Sequence, residues 1–206
     1  MFCELISTEE QLRAVIGHPS HRVLAKHVHA LDGHCRAFIA ASPYVVIGSA
    51  DRGGAIDVSP KGDPPGFVHV LDDRTLAVPE RPGNRKADTF TNLLQNDRVG
   101  LLFLVPGKNE TLRISGTGAI VRDRWLRDRL AVQGKAPELV LVVAVEEVFF
   151  HCSKCAIRSQ LWTAADWPDT STLPSLARAM VDAGRLTETQ EQMQALIDKD
   201  IRERLY

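Results

Sequence analysis

The chain predicts an α+β fold, mainly β: an antiparallel barrel with helical arms at both ends. Three observations predict it. Residues 44–150 hold about seven short apolar runs, rich in Val, Ile and Leu, separated by Gly and Pro turn signals. The runs follow one another closely enough for hairpins, which suits a barrel rather than a parallel sheet with helical crossovers. Helical periodicity dominates the two ends. No internal repeat or low-complexity linker appears, so residues 1–206 are expected to form a single domain. Its parts would be N-terminal helices over 1–33, a barrel core over 34–162 and C-terminal helices over 163–206.

The elements follow in order. "STEEQLRAVIG" places Ser7 and Glu10 at capping-box spacing, puts Leu12 and Ile16 on one face and stops at Gly17. "PSHRVLAKHVHALDG" repeats the helical pattern through Val23, Leu24, His27, Val28 and Leu31, ending at Gly33. "YVVIGSAD", "RGG" and "AIDVSP" read as strand, turn and returning strand. After the loop "KGDPPG" come the strands "FVHVLD" and "TLAVPE", then a helix that follows at once on Asn84-Arg85-Lys86. "RVGLLFLVPG" and "ETLRISGTGAIVRD" form the next pair, and "ELVLVVAVEEVFF" is a long β-branched strand. From "SLARAMVDAG" to "IRERLY" the pattern is helical again.

Composition bounds the function. With a formal net charge of −1 and acidic residues spread among basic ones, the chain has no basic face for nucleic acid. No apolar run is long enough to span a bilayer, and "MFCELISTEEQ" lacks the basic flank and apolar core of a signal peptide. Four cysteines do not make a disulfide scaffold at this length. The expected compartment is the cytoplasm, without membrane or nucleic-acid partners.

Several catalytic patterns are absent: no P-loop, no G-x-S-x-G elbow, no H-E-x-x-H. "SGTGAI" lies in a β context and lacks the third glycine of a dinucleotide turn. His27 and His69 read as packed or surface residues. Cys152 and Cys155 form C-x-x-C between a strand and a helix start, where a thiolate is favoured. A redox dithiol and half of a metal site are both open, against inert cysteines. His151 and Cys35 could complete a metal tetrad, but no second C-x-x-C is present, and no metal is expected.

Two stretches stand out. "PERPGNRKADTF" sets Arg85 and Lys86 side by side where a helix begins. Helix N-termini are already positive, so cations there make sense if an anion such as phosphate is present; a solvated turn is the plain alternative. In "AIDVSPKGDPPGF", Ser59-Pro60 marks an edge or bulge, because Pro cannot donate to a ladder, and Lys61 adds a charge beside it.

Taken in order, "AIDVSPKGDPPGF", "LAVPERPGNRKADTF", "RVGLLFLVPG", "ETLRISG" and a late "IRSQLW" resemble the pyridoxamine 5′-phosphate oxidase-like (PPOX-class) FMN-dependent flavoproteins. The likeness covers roughly residues 35–162, with DVSPKGDPPGF and PGNRK its most specific parts. It implies an FMN-binding split β-barrel and a homodimer with FMN at the subunit interface. It also implies that Asp57, Val58, Ser59, Pro60 and Lys61 run along the ring and ribityl chain, flanked by Val78 and Pro79. Arg85 and Lys86 would hold the phosphate, with Asn84 shaping the turn. Thr111, with Arg113 two residues on, would reach the flavin from the second subunit, and Arg158 and Trp162 would lie near the ring.

The departures bear on the substrate. The vitamin enzyme's Tyr, Arg-Pro and Ser cluster for substrate phosphate is replaced by "DRWLRDRLAVQGKAPELV", and its C-terminal R-x-H by "AIRSQLW". The implied activity is therefore an FMN-dependent oxidoreductase acting on an unidentified small molecule other than pyridoxamine phosphate. No catalytic acid or base stands out. The alternatives are a flavin-reductase-like role or a flavin- or haem-binding module, with His151 and His69 available as axial ligands. A long polyanionic deazaflavin would need more cations than Arg85 and Lys86, and the sequence displays no such cluster. A metal or redox protein built on Cys152 and Cys155 is a further alternative.

Overall fold

The computed structural model describes residues 2–206. Helices α1 (Glu9–Ile16), α2 (His21–Leu24) and α3 (Gly33–Ala41) lead into strands β1 (Tyr44–Ala50), β2 (Ile56–Gly62), β3 (His69–Val70) and β4 (Thr75–Pro79). Helix α4 (Asp88–Leu93) follows, then β5 (Arg98–Leu104), β6 (Thr111–Val121), α5 (Arg124–Arg129) and β7 (Val140–His151). The chain ends with α6 (Lys154–Arg158), a 3₁₀ turn at Ala164–Asp166, α7 (Leu176–Gly184) and α8 (Gln190–Arg204).

The seven strands form one sheet in the order β2-β1-β5-β6-β7-β4-β3. Every pairing is antiparallel. Side chains alternate across a strand, so Val45 and Ile47 of β1, Leu101 and Phe103 of β5, and Leu112 and Ile114 of β6 share one buried face. Burying each such side chain contributes roughly 1.5–3 kcal/mol.

The sheet curls until its two ends approach. Lys61 near the end of β2 pairs with Glu80 just beyond β4 at 2.5 Å, and Asp63 pairs with Arg81 at 2.6 Å. Among the described residues no backbone ladder joins β2 to β4, so the closure is made by side chains. That is the split barrel.

Some strands are apolar on both faces for reasons internal to one chain. Ala77 of β4 and Val140 of β7 pack under Leu126 and Leu130 from the α5 region, opposite the main core. The apolar character of "ELVLVVAVEEVFF" is thereby explained without a partner: Val140, Leu141, Val143, Val145 and Val148 are all buried within the chain.

The N-terminal helical pair is corrected in two places. Thr8, not Ser7, caps α1, accepting from the Gln11 N–H. The second helix stops at Leu24, and Val28 instead forms a β-bridge with Val148 through backbone bonds of 3.0 and 2.8 Å. The cause is tertiary. β4 covers β7 only from Val140 to Ala144, leaving the rest of that edge open, and Val28 takes up part of it. Helix α3, which the sequence pattern did not reveal, is capped by the Asp32 carboxylate on the Cys35 N–H and buries Cys35 and Ile39 one turn apart.

"SGTGAI" is strand interior. β6 shifts register between Ser115 and Gly116, and α4 packs close enough that a Cβ on Gly118 would lie 2.9 Å from Leu93. Among the described residues no helix is long and apolar enough to cross a membrane.

Candidate functional site

Beside the ion-paired closure lies a cavity of about 880 Å³. Ser59, Pro60 and Lys61 of β2 line one wall, and Pro79, Glu80 and Arg81 at the end of β4 line another. The turn through Asn84 and Arg85 forms the rim, and α4 contributes Asp88, Thr89 and Phe90. Lys61 lies 5.8 Å from the centre of the Phe90 ring while paired to Glu80. Of the sequence-predicted residues, the structure brings Ser59, Pro60, Lys61, Pro79, Asn84 and Arg85 together here.

The rim turn is strained. Arg85 and Ala87 adopt left-handed φ angles of 63° and 55°, which for non-glycine residues costs about 1–3 kcal/mol each. Asn84 Oδ1 accepts the Lys86 N–H at 2.9 Å and fixes the bend. The expected position of the cations is corrected. α4 begins only at Asp88, so Arg85 and Lys86 lie in the turn before it. Lys86 is 72% exposed and pairs with Asp88 at 2.9 Å, which holds its pKa above the usual lysine value. Arg85 has no carboxylate partner among the described residues and lines the cavity.

The remaining predicted residues lie elsewhere. Val78 is buried in the core. Asp57 turns to Ser59 and Thr89, accepting from their hydroxyls at 2.8 and 3.1 Å, and so ties β2 to α4 without lining the cavity. Val58 points the opposite way from Ser59, as alternation requires. It joins Thr111, Arg113 and Trp162 in a second cleft of about 580 Å³ on the other side of the sheet. Arg113 stacks over Phe149 at 5.1 Å, and Trp162 Nε1 donates to the Lys108 carbonyl at 2.6 Å. Arg158 ends α6, exposed, and lines neither cleft. Within one chain, the predicted residues that line a cleft thus fall into two separate groups.

His151 and Cys155 lie in the second cleft, whereas His69 lines a third cavity with Arg81 and Arg129. Burial, helped by those two cations, lowers the His69 pKa. Cys152 and Cys155 are exposed free thiols, while burial pushes the Cys35 thiol up to about 11. No cluster of three or more His, Cys, Asp or Glu able to hold a metal is found among the described residues. Replacing both Cys152 and Cys155 with Ser is therefore expected to leave the fold and its stability unchanged, as circular dichroism and urea unfolding will measure. Unfolding of the double mutant, or stoichiometric zinc in the wild type, contradicts that expectation.

Three residues lining the cavity carry no local sequence mark, and a fourth residue, Asp63, lies within the motif "AIDVSPKGDPPGF" without standing out in it. Lys135, Arg204 and Tyr206 line its far side, and Asp63 lies beneath. Asp63, its side chain only 1% exposed, accepts from Arg81 Nε and from Tyr206 Oη, each at 2.6 Å. That bond to Asp63, with burial behind it, holds the Tyr206 hydroxyl above the ordinary tyrosine pKa and keeps it a donor. Where the sequence displayed no cluster of cations beyond Arg85 and Lys86, the fold gathers one around Arg85: Lys61 and Arg81 from the neighbouring motifs, and Lys135 and Arg204 from distant positions.

Comparison with known proteins bears on this geometry. Residues 31–152 match the family described as pyridoxamine 5′-phosphate oxidase. No curated protein matches the chain. Among solved structures, a point variant of HupZ from Group A Streptococcus is 18% identical, covering 59% of this chain and 99% of that one with a TM-score of 0.50. An FMN-binding protein from Syntrophomonas wolfei is 12% identical, covering 57% and 83%, with a TM-score of 0.46. A Clostridium acetobutylicum protein related to general stress protein 26, of the pyridoxinephosphate oxidase family, is 17% identical, covering 57% and 85%, with a TM-score of 0.45. The likeness to HupZ is one of fold.

Proposed function

Because the chain belongs to the pyridoxamine 5′-phosphate oxidase-like family of FMN-binding proteins, we propose that it is an FMN-dependent oxidoreductase for a small molecule other than pyridoxamine phosphate. The observation that carries this reading is the cavity in which the strained turn presents Arg85, free of any carboxylate among the described residues, opposite Ser59 and Lys61. Its size, about 880 Å³, falls within the range of ligand pockets. A fixed bend ending in a free guanidinium suits a phosphate, which Arg binds through paired N–H donors.

In this reading Arg85 and Asn84 hold the phosphate end, and the Ser59–Lys61 segment with Pro79 holds the ring end. When bound, FMN supplies one- and two-electron transfer at its ring. Lys61, held by Glu80 and 5.8 Å from the Phe90 ring, would offer its ammonium N–H donors to a ring bound beside it. The hydroxyls of Ser59 and Thr89, tied to Asp57, hold β2 and α4 at a fixed separation.

The test is a titration of wild type and Arg85→Ala with FMN and riboflavin. FMN is expected to bind the wild type and to lose about tenfold or more in the variant, with riboflavin little changed, since a charged hydrogen bond contributes roughly 1.5–3 kcal/mol. Equal losses for both flavins remove the phosphate assignment.

The two separate groups of predicted residues fit a homodimer in which the second cleft of one copy faces the cavity of the other. The exposed outer face, with Ile56 at 78% and Val58 at 63%, supports that arrangement. Sedimentation at micromolar concentration is expected to give twice the 22.8 kDa chain mass. An FMN-loaded monomer contradicts it.

A further inference from the structure

We propose that Arg204, carried by α8, is a second guanidinium for the anionic group held at the Asn84–Arg85 turn, and that the segment Arg204–Tyr206 fastens over the cavity when that group binds. The inference rests on the proposed phosphate site and changes its composition: the paired cations are Arg85 and Arg204, not Arg85 and Lys86.

Arg204 Nη2 donates to the Gly83 carbonyl at 3.1 Å, which sets its guanidinium against the strained turn. Its only carboxylate partner among the described residues is Asp200, one helical turn back, at 2.7 Å and with both side chains substantially exposed. Exposed pairs at that spacing contribute little. A guanidinium has five N–H donors, so two bonds leave others for an anion. Lys86, by contrast, is tied to Asp88 and does not line the cavity.

The segment beyond Arg204 is held by polar contacts. Tyr206 donates to the buried Asp63, its ring lies 5.8 Å from the Arg81 guanidinium carbon, and its backbone oxygen accepts from Lys135 Nζ at 2.9 Å. Leu205 stays 62% exposed and adds no apolar anchor. Met193 is the one buried residue of α8, far along the helix from the cavity. Arg204 itself is held by exposed contacts to Asp200 and the Gly83 carbonyl, so a ligand bridging Arg85 and Arg204 adds a tie where the segment is most easily opened. Arg204 and Tyr206 also lie outside the family-matched residues 31–152.

The experiment compares wild type, Arg204→Gln and, as a control of equal charge, Arg202→Gln. FMN and riboflavin are titrated, and hydrogen exchange over 198–206 is followed without ligand, with FMN and with inorganic phosphate. The expected result is about a tenfold loss of FMN affinity in Arg204→Gln with riboflavin unchanged, and neither altered in Arg202→Gln. Exchange over 198–206 should slow with FMN in wild type and not in Arg204→Gln. Equal loss for both flavins reduces Arg204 to a structural contact, and unchanged FMN affinity removes it from the site; either overturns the inference. If the wild type binds neither flavin, the proposed function fails, and phosphate decides the inference separately. Phosphate-induced protection lost in Arg204→Gln upholds it, and no protection overturns it.

Discussion

Replacing Gly116 with alanine is expected to destabilise the protein by about 3 kcal/mol or more, one of the largest single-methyl effects available in this fold. Gly116 lies where β6 shifts register between β5 and β7, and an added Cβ would fall 1.9 Å from the Ala144 carbonyl oxygen. A side chain could swing away from such a contact; a laddered backbone carbonyl cannot. The strands must separate or the register change, and either disrupts the central pairing. Gly33→Ala serves as the control, because a Cβ there meets nothing within 4 Å and should be neutral or slightly stabilising. Urea unfolding reads the difference as a shift in midpoint at constant slope. An unchanged midpoint in Gly116→Ala would mean that the register shift relaxes freely.

Asp63→Ala is the second large effect. Arg81 is 14% exposed and Asp63 1%, so removing the carboxylate leaves a nearly buried guanidinium without its counter-charge. Breaking such a pair costs roughly 3–5 kcal/mol. The same change frees the Tyr206 hydroxyl, so protease cleavage near the end of α8 should accelerate along with the loss of stability. The double variant Asp63→Ala/Arg81→Leu is expected to recover part of the loss, since no charge is then left unpaired. A cost below about 1 kcal/mol for Asp63→Ala would class the pair with exposed surface ion pairs.

The barrel was legible because its strands carry a strong period-two signal bounded by turn residues. "YVVIGSAD" and "AIDVSP" fold as the hairpin their pattern implies, and their pairing runs from Tyr44 with Gly62 to Ala50 with Ile56. What misled was local pattern overridden by long-range pairing. The stretch around Val28 has helical spacing, yet an open edge of β7 draws it into a bridge. Helix α3 is short and has a single clear sequence mark, its Asp32 cap. At the candidate site, "PGNRK" pointed to the rim turn, but the left-handed angles at Arg85 and Ala87 decide which cation faces the cavity, and those angles have no simple sequence mark. Lys135, Arg204 and Tyr206 were invisible for a plainer reason. They become neighbours of Arg85 only through the fold.

The closure between β2 and β4 sets how wide the cavity can be. Where two strands share a ladder, their separation is fixed near about 4.8 Å by the hydrogen bonds, and the opening can change only in whole strands. Here the separation is fixed by the combined reach of Lys61 with Glu80 and of Arg81 with Asp63. Side-chain length is a finer ruler: exchanging Asp63 for Glu, or Glu80 for Asp, alters the span by one methylene and leaves every backbone pairing intact. A barrel closed in this way can be fitted to ligands of different thickness by substitutions at four positions, without rebuilding the sheet.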